Sequence, residues 1–350
     1  MFRRILVPLD GSKRAEKAIP VAARIARASG GTIVFVEVVL PPVEFGSYPE
    51  DRIVKLKPGA FPRREEAEAS YLTSITVTYA DELAGINTEL DLTSGAPSAE
   101  IYKAARLEAV DLIIFCSHGE TGLKQWAFGS IAQEAVRHSP VPVLILNEHG
   151  KFPPEQPSYP LRVLVPLDGS ALSESALLPV AYLVSALSGS LQNELHLFRV
   201  VDLPSAYGRM KSQAHISDLV HDEAVHEAEQ YMKSVSERYT QDLAAFNLLV
   251  SSFVVDSAYV AGAILHESAP IRDAATTTGY DLIAMATHGR GGLLRRLMGS
   301  VTEQILGTTK LPMFVVRPQS AQVEIEGEVT GEAGLVEITE VEAQSQIEVV

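Results

Sequence analysis

Two stretches of the chain carry the residue types from which a phosphate cradle is built. "DLIIFCSHG" at Asp111–Gly119 is an apolar run ending in glycine, and "DLIAMATHG" at Asp281–Gly289 repeats it. Nine residues separate each of those glycines from a Gly-Ser pair, Gly129-Ser130 and Gly299-Ser300, at the head of a helix-like segment. Glycine lets the backbone approach a ligand without a Cβ in the way. A helix N-terminus offers free N–H groups and a partial positive charge, and serine adds a hydroxyl donor. A glycine-rich surface turn is the competing reading of either loop alone. The duplication, and the placing between strand and helix, argue for the cradle. The second loop, "THGRGGLLRRLMGS", adds Gly291, Gly292, Arg295 and Arg296, whereas the first, "SHGETGLKQWAFGS", holds Glu120, Lys124 and Trp126. Phosphate is therefore expected to favour the second copy. A β-branched residue at Gly299 is expected to put its Cβ into the phosphate space, with the same change at Gly129 mattering less.

Other reactive types fit chemistry less well. His118 and His288 have no serine nucleophile or metal-ligand spacing beside them, so packing or hydrogen bonding within the loop suits them better. Cys116 reads as a buried strand end. His215, His221 and His226 are spaced unlike ligands on one helical face, which would stand three or four apart. Asp10 and Asp168, each in "LDGS", read either as the start of an Asp-Gly-Ser turn or as ligand contacts.

The loops belong to a tandem duplication. "ILVPLDGS" (5–12) returns as "VLVPLDGS" (163–170), "FGSIAQEAV" (128–136) as "MGSVTEQIL" (298–306), and "SPVPVLILN" (139–147) as "TKLPMFVVR" (309–317). The offset grows from 158 to 170 residues, so the second copy carries extra chain ahead of its glycine loop. The organisation expected is a first domain at 1–147, a proline-rich linker at 148–160, a second domain at 161–318 and an acidic tail at 319–350. In the first copy, strands are expected at 5–9, 33–39, 88–92, 112–116 and 141–146. Helices are expected from Ser12 to Ser29, kinked at Pro20, and at 65–83, 98–107 and 131–138. Alternating β and α at this spacing gives an α/β fold: two tandem Rossmann-like domains, each a five-stranded parallel sheet with helices on both faces. Pro142 and Pro312 fall in the last strand of each copy and suggest edge strands. Pairing of those edges would make an intrachain pseudo-dimer; a homodimer of whole chains stays open.

The chain has 350 residues, 46% hydrophobic and 21% charged, with a net charge of −15. That field disfavours a general nucleic-acid or acidic-membrane binder but leaves a small anionic ligand open. The single cysteine precludes an intrachain disulfide. No uninterrupted apolar run reaches the ~18 residues of a membrane helix, and "MFRRILVPLDGS" lacks a signal-peptide pattern. A cytoplasmic protein without membrane insertion is expected. The tail holds eight Glu and no Lys or Arg, so a solvated segment is expected there, with a strand or hairpin around "VEIEGEV" as the other reading.

"VPLDGS" after the first strand, "HG" followed by nine residues and "GS", and the closing "PMFVVR" strand together resemble the universal stress protein family, over roughly 1–147 and 160–318. Members that bind ATP show Gly, two residues, Gly, nine residues, then Gly-Ser or Gly-Thr; Cys116 and Ala286 stand at the first glycine here. The resemblance implies an adenine nucleotide, with ATP as ligand and Mg²⁺ on its phosphates. It implies that the aspartate contacts the nucleoside and that backbone at Val38 or Val200 contacts adenine. The implied site comprises Pro8, Leu9, Asp10, Val38, Cys116, Gly119, Gly129 and Ser130 in the first copy. In the second it comprises Pro166, Leu167, Asp168, Val200, Ala286, His288, Gly289, Gly299, Ser300 and Val301. Three functions follow: a nucleotide-binding stress-response protein regulated by occupancy, a nucleotide-free interaction scaffold, or a relative of the nucleotide α-hydrolases. The last lacks an "SGGxDS"-type loop after either first strand, and no positioned base for water is visible, so any hydrolysis would be slow.

Overall fold

A computed structural model describes residues 2–39, 60–117, 130–148, 150, 152, 159–189, 191–202, 214–269, 279–287 and 299–317. The glycine loops with His118, Gly119, Gly129, His288 and Gly289, most of the linker, and the tail lie outside the described residues. So do Lys124, Arg295 and Arg296, and the side chains of Ser130 and His215.

The first copy runs β1 (Arg4–Leu9), a 3-10 turn (Ala15–Lys17), α1 (Ala18–Ser29), β2 (Thr32–Val39), α2 (Ala60–Thr78) and β3 (Asn87–Ser94). It continues with α3 (Pro97–Leu107), β4 (Leu112–Ser117), α4 (Ser130–His138) and β5 (Val143–Asn147). The second runs β6 (Arg162–Pro166), α5 (Ala171–Glu174), α6 (Leu177–Ser188), β7 (Asn193–Val201), α7 (Ala214–Ala244) and β8 (Leu248–Asp256). It ends with α8 (Val260–Ser268), β9 (Leu282–Ala286), α9 (Ser300–Leu306) and β10 (Met313–Val316). Each copy contributes five parallel strands, in the order β3-β2-β1-β4-β5 and its mirror β10-β9-β6-β7-β8.

The two sheets are one. β5 and β10 pair antiparallel, Val143 opposite Val315, Leu144 opposite Phe314 and Ile145 opposite Met313. Leu144 and Phe314 are equivalent positions of the two copies, so a pseudo-twofold axis passes between them. One apolar layer, with Phe35, Leu144, Leu197 and Phe314, runs under α1, α2, α6 and α7 through both copies. The opposite layer, with Val36, Ile145, Phe198 and Met313, runs under α3, α4, α8 and α9. Phe2 meets the Phe314 ring edge-on, with centroids 6.1 Å apart, so the halves are welded by core packing as well as by strand pairing.

The prolines mark departures from the sequence reading. The segment after Ser12 does not form one kinked helix. Ser12 Oγ accepts from Ala15 N–H at 3.2 Å and starts only the 3-10 turn; α1 begins afresh at Ala18. Pro20 therefore lies in the first turn of α1, where no intrahelical donor is needed, rather than at an interior kink. Pro142 and Pro312 precede β5 and β10 rather than lying inside them, and offer their carbonyls to Ile113 and Ile283 at 3.1 Å each. β5 and β10 are the edge strands of their own copies, as expected, and by pairing they become interior to the ten-stranded sheet, whose edges are β3 and β8. Gly30, at φ 63°, closes α1 in the left-handed conformation. The stretch Ala171–Ser188 is apolar and long enough by composition to cross a membrane, but 56% of it is buried within the fold.

Candidate functional site

In an open parallel sheet, a ligand crevice forms where the strand order reverses, outside the carboxyl ends of the strands. The reversal lies between β1 and β4, and between β6 and β9. Both pairs are in register for only two residues, Ile5–Leu6 with Leu112–Ile113 and Val163–Leu164 with Leu282–Ile283. Beyond these no pairing joins the two strands, and the carboxyl end of each pair is where such a crevice is expected.

Pro8, Leu9 and Asp10 bring the first wall to the crevice mouth, and Pro166, Leu167 and Asp168 do the same in the second copy. Each aspartate folds its own turn. Asp10 Oδ1 accepts the Ser12 N–H at 3.1 Å, and Asp168 Oδ1 accepts the Ser170 N–H at 3.0 Å and its hydroxyl at 2.6 Å. Gly11 and Gly169, at φ 75° and 88°, make these turns in a conformation open to glycine. The copies then differ. Asp10 Oδ2 is held by Arg14 at 2.8 Å, whereas Leu172 occupies the equivalent position in the second copy.

The backbone of β7 sets which way Val200 faces. Alternate residues of a strand bond to opposite neighbours. Phe198 C=O takes the last bond from the first wall, the Leu167 N–H at 2.8 Å, while Val201 C=O turns the other way to Ser257. The N–H and C=O of Val200 therefore point to the β6 side, beyond the end of β6, into the crevice. Val38 has the equivalent place one residue beyond Glu37, which pairs with Leu9.

On the far wall, Cys116 is half-buried and Ala286 buried at the ends of β4 and β9. Burial pushes the Cys116 thiol up to about 11, against the opposing pull of the Lys17 charge. It is a protonated packing group, as a buried strand end should be. Gly299 donates its N–H to Thr287 C=O at 3.1 Å and tethers the start of α9 to the end of β9. A Cβ on Gly299 would lie 2.9 Å from that carbonyl oxygen. Backbone packing alone therefore disfavours a side chain at Gly299, beside the expectation that its Cβ would enter phosphate space. Ser300 begins α9 and is exposed, and Val301 packs against the core layer. Among the described residues no group of three or more His, Cys, Asp or Glu converges as a metal site. His221 sits beside Asp222 and Asp256, and His226 beside Gln230.

Behind the mouth lies a feature the residue-by-residue reading missed. Glu16 and Glu174, 1% and 6% exposed, occupy the same place in the two copies. Glu16 accepts from Tyr79 at 2.8 Å and Tyr71 at 3.4 Å; Glu174 accepts from Tyr231 at 3.0 Å and Arg238 at 3.1 Å. Burial and the adjacent carboxylate push the Tyr79 phenol up to about 12, and Tyr71 and Tyr231 higher still. The recurrence of glutamate four residues after each "DGS" was the available signal. Above these clamps, Glu37 and Arg199 hold equivalent positions with opposite charge, and Arg199 lies over the Tyr231 ring at 5.1 Å.

Parallel strands whose order reverses once in each half, with helices on both faces, define a doubly wound α/β fold, present twice in one chain. The description "Universal stress protein family" matches residues 1–147 and again 161–317. The chain belongs to that family, in a tandem form. Universal stress protein Rv2005c of Mycobacterium tuberculosis (strain ATCC 25618 / H37Rv) is 25% identical over 328 residues, covering 89% of this chain and 96% of that one. Universal stress protein MJ0577 of Methanocaldococcus jannaschii is 26% identical over 165 residues, covering 42% of this chain and 96% of its own. Among solved structures, a universal stress protein from Archaeoglobus fulgidus superposes with a TM-score of 0.58 at 21% identity, over 91% of this chain and 99% of that one; it shares the fold.

Proposed function

We propose that the chain is a stress-response protein that binds an adenine nucleotide in the crevice of its second copy, and that occupancy regulates its contact with a protein partner. One observation carries the proposal: β6 and β9 part after two residues, and the backbone of Val200 faces the gap so formed. A purine edge needs one donor and one acceptor, which one residue's N–H and C=O supply. Asp168, at the carboxyl end of β6, would address the ribose hydroxyls. The phosphates would leave toward the segment between Thr287 and Gly299, which carries Gly289, Gly291, Gly292, Arg295 and Arg296, and Mg²⁺ would accompany them. The residues fit the nucleoside: the crevice is lined by small or apolar groups, Leu167, Val200 and Ala286, with polar groups at its rim. The first copy is less suited: the bulkier Cys116 stands where the second copy has Ala286, and Glu37 replaces Arg199.

A nucleotide-free scaffold is the second reading, favoured by Cys116 and Ala286 at positions where glycine would give a ligand the closest approach. The two separate by mass spectrometry of small molecules released on denaturing the purified protein. The proposal expects an adenine nucleotide in a ratio near one per chain; absence of any nucleotide, together with no uptake on incubation with ATP, favours the scaffold.

A further inference from the structure

The two outer edges of the sheet are built differently. β3 carries Glu89 and Asp91 in mid-strand, and Glu89 is engaged by Arg4 at 2.7 Å. Charges at such positions oppose pairing with another strand. β8 occupies the equivalent edge of the second copy, with the sequence LLVSSFVVD, and its only ionisable residue is the last. Ser251 and Phe253 stand where β3 has Glu89 and Asp91. Leu249 is 51% exposed, and Ser251 and Ser252 are exposed.

Asn247 C=O bonds to Asn193 and Ser257 N–H to Val201, so the odd-numbered residues between them face β7. The N–H and C=O groups of Val250, Ser252 and Val254 therefore face outward. None of them takes a backbone hydrogen bond from the described residues.

We infer that β8 is a self-association edge, and that a second copy of this chain pairs with it, β8 antiparallel to β8 about a twofold axis at Ser252. The segment is self-complementary in that register. Ser252 meets Ser252 of the second copy, and Val250 meets Val254. Asp256 lies opposite Leu248 rather than opposite another Asp256. Each outward-facing pair exchanges two N–H···O bonds in the narrow-pair pattern of an antiparallel ladder. The chain already closes its other sheet edges this way, with β5 and β10 antiparallel about the internal pseudo-twofold. Nine residues of strand make a small isologous interface, so a reversible dimer is expected.

Sedimentation velocity of the full chain over a micromolar concentration series tests this. The parent should show a concentration-dependent monomer–dimer equilibrium. Ser252→Lys sets two like charges opposite each other and should leave only monomer. Ser252→Pro removes an outward donor without touching the β7 ladder and should do the same. Leu90→Lys, at the equivalent site on β3, should leave the dimer unchanged. Thermal melts confirm that each variant is folded, and if Ser252→Lys is not, Ser252→Pro decides. A parent that remains monomeric, including one that pairs only with a foreign extended peptide, overturns the inference. So does a dimer that survives both Ser252 changes, or one that Leu90→Lys abolishes.

Discussion

At the scale of single residues, the site is made of groups whose first duty is to the backbone. Asp10 and Asp168 close their own turns, Gly299 fits beneath Thr287 C=O, and Cys116 ends a strand. The Cys116 thiol gives a direct measure of its surroundings. An exposed cysteine titrates near ~8.5, and burial holds this one near 11. The unfolded thiol ionises first, so the contribution of Cys116 to stability falls as pH rises past the unfolded value. Iodoacetamide should modify the native protein far more slowly than the denatured chain at pH 8, with a native rate that climbs toward pH 11. Equal rates in the two states at pH 8 would contradict a buried, protonated thiol. The Asp-Gly-Ser turns and the strand-end place of Cys116 were legible in the sequence because type and spacing specify them. The charge difference between Glu37 and Arg199 was equally present there, but its meaning depends on a register that only the folded sheet supplies.

At the scale of elements, the most informative device is the buried carboxylate that ties a helix start to a distant helix. Tyr231 and Arg238 on α7 converge on Glu174 at the end of α5, and Tyr71 on α2, with Tyr79 just beyond it, converges on Glu16. Arg238 is half exposed, so its ion pair is screened and contributes little. The phenol of Tyr231 is the group that loses its partner in the interior. Glu174→Ala should therefore destabilise the protein by about 1–3 kcal/mol, whereas Glu174→Gln, which keeps an acceptor, should lose less. Denaturant melts of the two variants measure this; equal losses would assign the effect to charge rather than to the hydrogen bond. The existence of each element followed from apolar runs and glycine stops, as at Gly30. Their limits did not. α2 ends at Thr78 rather than Leu83, and α1 restarts at Ala18, because proline and helix ends respond to local hydrogen bonding that a hydrophobic pattern does not encode.

At the scale of the whole molecule, the duplication becomes a ten-stranded sheet with two crevices of unequal character. The four repeated segments announced the two copies, and the expectation of edge pairing pointed to the β5–β10 seam. The continuity of both apolar layers across that seam could not be read, since it depends on helices from different copies packing side by side. The same duplication allowed the copies to diverge: Arg14 of the first is Leu172 in the second, and Glu37 of the first is Arg199 in the second. Calorimetric titration of ATP into the parent, Asp168→Asn and Asp10→Asn is the most direct test, because asparagine retains the turn acceptor while removing the charge. The account predicts one site per chain, a loss of affinity of about tenfold (~1.4 kcal/mol) for Asp168→Asn, and no change for Asp10→Asn. No binding by the parent, or equal losses from the two substitutions, would contradict it.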